Sequence, residues 1–302
     1  MPLLEPEFLS QLERLRLITR GRQFGRLPGI RPARGNGTSI EFADYREYQP
    51  GDDLRYVDWN LYARLGRLFV KLFAAEQDLQ VTLVVDASAS MGFGSPAKSQ
   101  RARELAAALG FIALSGGDRV RLMVLPAAVA PSLGMISPVL QSRPQAVHLF
   151  RWLEQVVPGG RADLPRAVIQ LTSLLRSARG GLVLILSDLQ DPAGPDVFLE
   201  LLPTLIGSGQ EVVILHLLSP EELEPEWTGD HLLIDSEAPA TRVELALNRR
   251  ARQFYHQELN LWLNTIRAQA AASGAEYLMV PTDLPWQATV FAELVARGRV
   301  GR

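Results

Sequence analysis

The feature that most constrains the fold is a regular alternation of short apolar runs with amphipathic segments, beginning at Val81. The runs at 81–85, 182–186 and 212–218 are almost continuously aliphatic, as is typical of strands buried on both faces of a parallel sheet. Segments with helical apolar spacing separate them, for example Ser99 to Leu114. Since parallel strands need long crossover connections, the pattern predicts an α/β fold with a mostly parallel sheet flanked by helices.

The region before the last long helix departs from this alternation. Two short extended runs, Leu232 to Asp235 and Arg242 to Leu245, flank a Ser-Glu-Ala-Pro turn. They predict a small β-hairpin insertion near 229–246. We therefore predict an N-terminal segment over 1–78, which begins with a helix, and an α/β domain over 79–302.

Composition excludes several classes of protein. The chain has no cysteine and only four histidines, without metal-ligand spacing, which excludes disulfide frameworks and thiolate or histidine zinc sites. A net charge of −2 argues against a dedicated nucleic-acid-binding protein. The longest uncharged run, 122–142, is interrupted by three prolines, and the N-terminus lacks a secretory signal. We expect a cytoplasmic chain without a membrane segment.

Basic charge is concentrated near the N-terminus. Seven arginines and no acidic residue lie between Arg14 and Arg34, interleaved with glycine and proline. The favoured interpretation is a solvated basic loop that follows an amphipathic helix. The alternative is an arm that docks on an acidic partner or on nucleic acid.

Oxygen-bearing side chains follow two of the most apolar strands. Asp86, Ser88 and Ser90 come directly after the first strand, and Asp188 ends the run at 182–186. If these strands are neighbours, the carboxylates meet at one edge of the sheet, where repulsion calls for a cation or a proton. Hard oxygen ligands suit Mg²⁺ or Mn²⁺. The alternative is that both aspartates only cap their loops.

This pattern resembles the metal-ion-dependent adhesion site of von Willebrand factor A-type domains. In those domains an Asp-x-Ser-x-Ser loop, a threonine and a later aspartate hold a divalent ion, whose open position takes a partner's carboxylate. Asp86, Ser88, Ser90 and Asp188 match the metal ligands. The threonine position is Ala162, which removes one ligand, and Arg161 beside it could place a positive charge near the site. Asp163 is an additional candidate ligand or a helix cap.

A longer signature lies upstream. It contains Glu41-Phe42, then Arg46-Glu47-Tyr48-Gln49-Pro50-Gly51-Asp52-Asp53-Leu54-Arg55-Tyr56-Val57-Asp58-Trp59, then Ala63-Arg64. It resembles the signature of the bacterial domain of unknown function 58 (DUF58) family. The resemblance implies a non-enzymatic interaction module that acts with a MoxR-type AAA+ ATPase in chaperone-like assembly or maturation of client proteins.

The charged residues of the signature also suggest a structural role. Arg46, Arg55 and Arg64 are natural ion-pair partners for Asp52, Asp53 and Asp58, with Trp59 among the aromatics that cover them. The favoured interpretation is a clasp that ties the N-terminal segment to the α/β domain. The alternative is a partner-binding surface built from the same residues.

The sequence gives only weak support to two enzyme classes. A haloacid-dehalogenase-type, metal-dependent phosphatase needs a second aspartate two residues after the first, and that position is Ser88. The stretch Gly92 to Ser99 matches a phosphate-binding Gly-x-x-x-x-Gly-Lys-Ser loop except that Ala97 replaces a glycine. Chance explains that match better, and no residue is predicted to be catalytic.

Overall fold

The computed structural model describes residues 3–19, 41–74, 78–126, 136–176, 178, 180–192, 194–225 and 229–301. The chain forms two compact units. The larger one combines Met1–Thr19 with Leu79–Arg302, and the smaller one is Arg20–Asp78.

The secondary structure alternates as the sequence predicts, and the hairpin insertion is present. The strands are β1 (Arg16–Leu17), β2 (Glu41–Glu47), β3 (Phe69–Ala74), β4 (Gln80–Asp86), β5 (Arg119–Leu125), β6 (Gly181–Ser187), β7 (Gln210–Leu218), β8 (Gly229–Ile234), β9 (Arg242–Leu247), β10 (Glu276–Pro281) and β11 (Val300–Gly301). The helices are α1 (Pro6–Leu12), α2 (Trp59–Leu65), α3 (Lys98–Ser115), α4 (Ala146–Glu154), α5 (Leu164–Leu175), α6 (Pro195–Gly207), α7 (Pro220–Leu223), α8 (Arg249–Ala272) and α9 (Trp286–Ala288), which continues as a π-helix over Thr289–Leu294.

In the described part of the larger unit, five parallel strands form one sheet in the order β10-β7-β6-β4-β5. The predicted fold class, a mostly parallel sheet flanked by helices, is confirmed. The central strands β4 and β6 are direct neighbours, with Val81 opposite Leu182 and Val85 opposite Leu186. Their carboxyl ends therefore lie side by side, which brings the loops after Asp86 and Ser187 to one edge.

The two faces of the sheet carry separate hydrophobic cores. Leu83 and Val85 of β4 pack in a core with α3 and α4, whereas Val84 packs on the opposite side with α5, α6 and α8. Successive side chains of a strand point to opposite faces, so a continuously apolar strand serves both cores. This double burial fixes the register of the central strands, and with it the positions of their terminal aspartates.

The first residues of the chain belong to the larger unit. Leu12 and Leu17 are buried in the core on the α3 side, and β1 pairs antiparallel with β11 through Leu17 and Val300. We expected 1–78 to form one segment, whereas the division lies between Thr19 and Arg20. The apolar face of α1 and β1 accounts for the difference, because it is buried against the sheet domain. Most of the basic stretch from Arg14 to Arg34 lies outside the described residues.

The smaller unit is built on the antiparallel pair β2 and β3, with an irregularity in register between Phe42 and Asp44. Helix α2 begins after Asp58, whose carboxylate accepts the backbone N–H groups of Asn60 and Leu61, and ends at Gly66 in the left-handed conformation. No helix in the described ranges combines the length and hydropathy needed to cross a bilayer.

Burial of the first residues can be tested by truncation. Leu12→Ala is expected to lower the free energy of unfolding by about 2–5 kcal/mol, because it leaves a cavity in the core beside α3. Ile18→Ala, at a neighbouring exposed side chain, is expected to cost about 1 kcal/mol or less. Denaturant unfolding measures both. Equal small losses would show that the first residues do not pack on the larger unit.

Candidate functional site

The carboxyl ends of β4 and β6 place Asp86 and Asp188 at the same edge of the sheet, and both side chains are buried. The neighbouring strands that the sequence argument required are therefore present. Asp86 accepts hydrogen bonds from the Ser88 backbone N–H at 2.8 Å and the Ser187 hydroxyl at 2.6 Å. Among the described residues no ion pair to Asp86 is found, so neutral donors alone satisfy this carboxyl group.

Burial and, second to it, the negative charge of Asp188 raise the pKa of Asp86 to about 7, although the hydrogen bonds from Ser187 and Ser88 act in the opposite direction. A carboxyl group in this position gains little from ionising near neutral pH. The site therefore compensates its two strand-end aspartates differently, since Asp188 has a cationic partner.

That partner is Lys98, the first residue of α3, whose side chain is 0% exposed. Its ammonium Nζ donates to Asp188 Oδ2 at 2.7 Å and to Glu222 Oε1 at 2.5 Å. Burial lowers the pKa of Lys98, but the charges of Asp188 and Glu222 outweigh that effect, so the net shift is upward. Lys98 is therefore a buried, permanently charged cation between two carboxylates.

Glu222 is positioned by the turn that follows β7. Its Oε2 accepts the backbone N–H of Ser219 at 2.8 Å, and the Ser219 hydroxyl accepts the N–H of Glu222 in return. This reciprocal pair is a capping box at the start of α7. Gln190 Nε2 also donates to Glu222 Oε1 at 3.1 Å. The lysine thus meets a carboxylate that is already fixed in position.

A neutral histidine supports the backbone of Asp188. His216 Nε2 lies 2.9 Å from the Asp188 carbonyl oxygen, and Nδ1 lies 2.7 Å from the Tyr277 hydroxyl. A carbonyl oxygen can only accept, so Nε2 carries the proton and Nδ1 accepts from Tyr277. Burial lowers the pKa of His216 to about 4, so the ring adds no positive charge at neutral pH.

The serines of the Asp-x-Ser-x-Ser loop connect the site to the β8–β9 hairpin. The hydroxyls of Ser88 and Ser90 are 3.0 Å apart, and Ser90 donates to Glu237 Oε1 at 3.2 Å. The backbone N–H of Ala162 donates to Glu237 Oε2, also at 3.2 Å. Both oxygens of the Glu237 carboxylate are therefore held by groups of the strand-end loops.

The turn of the hairpin is shaped to present Glu237. Asp235 Oδ1 accepts the backbone N–H groups of Glu237 at 2.8 Å and Ala238 at 3.1 Å, an Asx-type turn. Between this turn and the strand-end loops lies a cavity of about 560 Å³. Its lining includes Ser90, Phe93, Lys98, Gln190, Glu222 and Glu237.

The middle loop contributes backbone rather than side-chain oxygen. Ala162 is buried and offers only its N–H to the site. Asp163 is exposed and accepts the backbone N–H of Arg166 at 3.1 Å, which caps α5. Its described contact is thus the helix-capping one, while a role as metal ligand stays a prediction.

The four predicted metal ligands do not offer a divalent ion an open set of oxygens as they are arranged here. Asp86 and Asp188 accept protein donors, the two serine hydroxyls pair with each other, and Ser90 also binds Glu237. Across the described ranges no group of three or more His, Cys, Asp or Glu side chains is placed to hold a metal. This donor set does not fit Mg²⁺ or Mn²⁺ without displacement of Lys98, and metal binding stays a prediction.

The signature residues pair within the smaller unit. Arg46 binds Asp52 at 2.8 Å and Arg55 binds Asp53 at 2.6 Å. These bonds, together with a backbone N–H at each aspartate, lower the pKa of both carboxyl groups. Two of the expected ion pairs, Arg46 with Asp52 and Arg55 with Asp53, are therefore present.

The third aspartate pairs differently from the expectation. Asp58 accepts the Tyr45 hydroxyl at 2.9 Å and lies 3.1 Å from the Lys71 ammonium. The backbone N–H of Leu61 and the bonds from Lys71 and Tyr45 lower the pKa of Asp58 to about 2. Trp59 is exposed and contacts Tyr62 edge to face. Both the clasp and the partner-binding interpretations stay predictions.

Sequence reasoning missed Lys98, Glu222 and Glu237 as members of the site. In the sequence Lys98 stands out only as part of the near match to a phosphate-binding loop, a match that chance explains. Glu222 lies 124 residues from Lys98, and Glu237 lies 147 residues from Ser90. A pattern that is local in sequence carries no signal for contacts over such separations.

The raised pKa of Asp86 predicts a specific pH dependence. Between about pH 4 and pH 7 the folded chain keeps a proton on Asp86 that the unfolded chain releases, so this group lowers stability as pH rises. Asp86→Asn removes that titration, and its stability relative to the wild type is expected to increase steadily from pH 4.5 to pH 7.5. Chemical unfolding at each pH measures the difference.

Asp230→Asn, at an exposed aspartate, is the control and should keep a constant offset from the wild type over the same range. A constant offset for Asp86→Asn as well would contradict the raised pKa.

The chain is similar in sequence to other proteins over nearly its whole length. The uncharacterized proteins Mb1516 of Mycobacterium bovis and Rv1480 of Mycobacterium tuberculosis are each 28% identical over 300 residues, covering 98% of this chain and 91% of the relative.

Two solved structures resemble the chain at low sequence identity and low TM-score. Conserved hypothetical protein BatB from Bacteroides thetaiotaomicron has a TM-score of 0.41 at 16% identity, covering 72% of this chain and 98% of its own. The VWA domain of SpRpn10 has a TM-score of 0.38 at 12% identity, covering 73% and 95%. At these scores the fold assignment rests on the chain's own strand order. The sequence profile described as "Protein of unknown function DUF58" matches residues 44–261, more than half of the chain, which therefore belongs to the DUF58 family.

Proposed function

We propose that this chain is a non-enzymatic protein-interaction module whose strand-end cavity binds an acidic side chain of a partner. The observation that carries the proposal is the Glu237 carboxylate, which is held there by the Ser90 hydroxyl and the Ala162 N–H, both at 3.2 Å. The chain's own hairpin thus supplies a carboxylate at the position where a partner's carboxylate would bind.

A partner's acidic group would exchange with Glu237 rather than add to it. The cavity is lined by the carboxylates of Asp191, Glu222, Asp235 and Glu237 and by two cations, Lys98 and Arg161, so negative charge is in excess and a further carboxylate would be repelled. Replacing one carboxylate by another leaves the net charge of the site unchanged and reuses the same two donors. Binding then depends on the balance between the internal and the external carboxylate.

The hairpin that carries Glu237 is suited to move. Along β8 and β9 most side chains are exposed, including Leu232, Ile234 and Val243. A segment with few buried apolar contacts opens at low free-energy cost compared with a core strand. Release of the turn would expose the Ser90 hydroxyl and the Ala162 N–H without disturbing the sheet.

The arrangement does not support the phosphatase alternative. The carboxyl group of Asp86 is buried and accepts two internal hydrogen bonds, so it is not presented as a nucleophile. Ser88 stands where the acid of that mechanism would lie, and its hydroxyl pairs with Ser90. Neither member of the required pair is available for phosphoryl transfer.

The partner we propose is a MoxR-type AAA+ ATPase, in chaperone-like assembly or maturation of client proteins. Its support is membership of the DUF58 family, because the signature is what implied that partnership. A divalent ion at Asp86, Ser88, Ser90 and Asp188 is not part of this proposal, because those side chains already bind protein groups. Exchange with Glu237 uses only the chain's own donors and does not need that ion.

Competition by Glu237 can be measured directly. Glu237→Ala is expected to bind the MoxR-type ATPase of the same organism about tenfold more tightly than the wild type, because the internal competitor is gone. Glu244→Ala, an exposed glutamate in the same hairpin, is the matched control and should bind like the wild type. Calorimetry or surface plasmon resonance with purified proteins gives the affinities.

The role of the Ser90 donor needs a double-mutant cycle. In the Glu237→Ala background, Ser90→Ala should weaken binding about tenfold, since a hydrogen bond to a carboxylate is lost. In the wild-type background the loss should be much smaller, because both carboxylates lose the same bond. Equal affinity of the wild type and Glu237→Ala would contradict exchange, and no binding by either would contradict the proposed partner.

A further inference from the structure

We propose that the ammonium group of Lys98 takes the place of the divalent cation at this sheet edge, so that the site is held together without a metal ion. The inference concerns the charge balance of the site and does not depend on the proposed partner. It rests on the position, the burial and the contacts of one side chain.

Lys98 places its charge where the strand-end carboxylates need one. Its side chain is fully buried, as is that of Asp188, and their charged atoms are 2.7 Å apart. The second carboxylate, Glu222, is only 14% exposed and 2.5 Å from the same nitrogen. One fully buried and one largely buried carboxylate therefore converge on one buried positive charge, with the ring of Phe93 6.0 Å from it.

The remaining groups of the edge need no second cation. Asp86 is satisfied by Ser187 and by the Ser88 backbone N–H, and His216 is neutral. The position that the resemblance assigns to a threonine is Ala162, which has no side-chain oxygen. Protein groups therefore take over the contacts that an ion would make. Lys98 neutralises Asp188, and the Ser187 hydroxyl and the Ser88 N–H satisfy Asp86.

The rarity of lysine in the chain also supports a specific role for Lys98. Only two lysines, Lys71 and Lys98, occur among its 31 basic residues, the rest being arginines. A guanidinium is planar and needs several acceptors around it, whereas an ammonium is a compact point charge that approaches the size of a bound ion. Lysine is the basic side chain that fits between two converging carboxylates at the base of a cavity.

The first arm of the test uses the wild-type protein. Its thermal midpoint is expected to be the same with chelator and with 10 mM Mg²⁺ or Mn²⁺, since Lys98 already fills the site. A midpoint that rises by several degrees with metal would overturn the proposal.

The second arm removes the ammonium. Lys98→Ala is expected to lower the midpoint, because it leaves Asp188 and Glu222 buried without a counter-charge, and metal should restore much of the loss. Lys71→Ala, which removes the other lysine and its pairing with Asp58, is the control and should show no response to metal. A folded Lys98→Ala that also ignores metal would overturn the equivalence of ammonium and ion.

The third arm needs no variant and decides the question if Lys98→Ala does not fold. The two lysines differ in exposure, 39% for Lys71 and 0% for Lys98, so an amine-acylating reagent followed by mass spectrometry reports on each. Lys71 is expected to react readily and Lys98 to be at least tenfold slower, with or without Mg²⁺. Faster acylation of Lys98 on addition of metal would show that the ion displaces it, which would overturn the proposal.

Discussion

The structure of the site depends on how two buried carboxylates at adjacent strand ends are compensated. Asp86 and Asp188 are held at one edge because β4 and β6 are neighbours whose apolar side chains serve both cores. The cost of burying charge makes an uncompensated pair untenable. The chain meets this constraint by two different means, a raised pKa at Asp86 and a buried ammonium at Asp188.

The same constraint explains why distant parts of the chain converge on this edge. Lys98 comes from the start of α3, Glu222 from the turn after β7, and His216 from β7 itself. Each supports either the charge or the backbone of Asp188. A group buried this deeply needs partners on every side, and the loops at the carboxyl end of a parallel sheet are the elements that can provide them.

The β8–β9 hairpin is held less firmly than the parallel sheet. The sheet is fixed by two cores, whereas β8 and β9 are mostly exposed and reach the strand-end loops through the Glu237 carboxylate. Hydrogen bonds of 3.2 Å to neutral donors are weaker than the charged contacts of Lys98 beneath them. The Glu237 turn can therefore leave the rigid sheet edge and be replaced by a partner's carboxylate without loss of the fold. This difference in stability is the physical basis of the proposed module.

The sequence by itself determined the alternating strands and helices and the hairpin near 229–246, and it placed Asp86 and Asp188 at the carboxyl ends of two strands whose pairing the structure then supplied. Those features follow from local periodicity and from the rule that parallel strands end at one edge. It also indicated two ion pairs of the signature, Arg46 with Asp52 and Arg55 with Asp53, which are close in sequence.

Only the tertiary structure decided that Lys98 neutralises Asp188, that Glu237 reaches Ser90 and Ala162, and that Met1–Thr19 packs with the larger unit. These contacts join residues separated by 75 to 147 positions, or an end of the chain to the opposite end. The physical reason is that burial and charge compensation act through space, whereas periodicity and turn chemistry act along the chain.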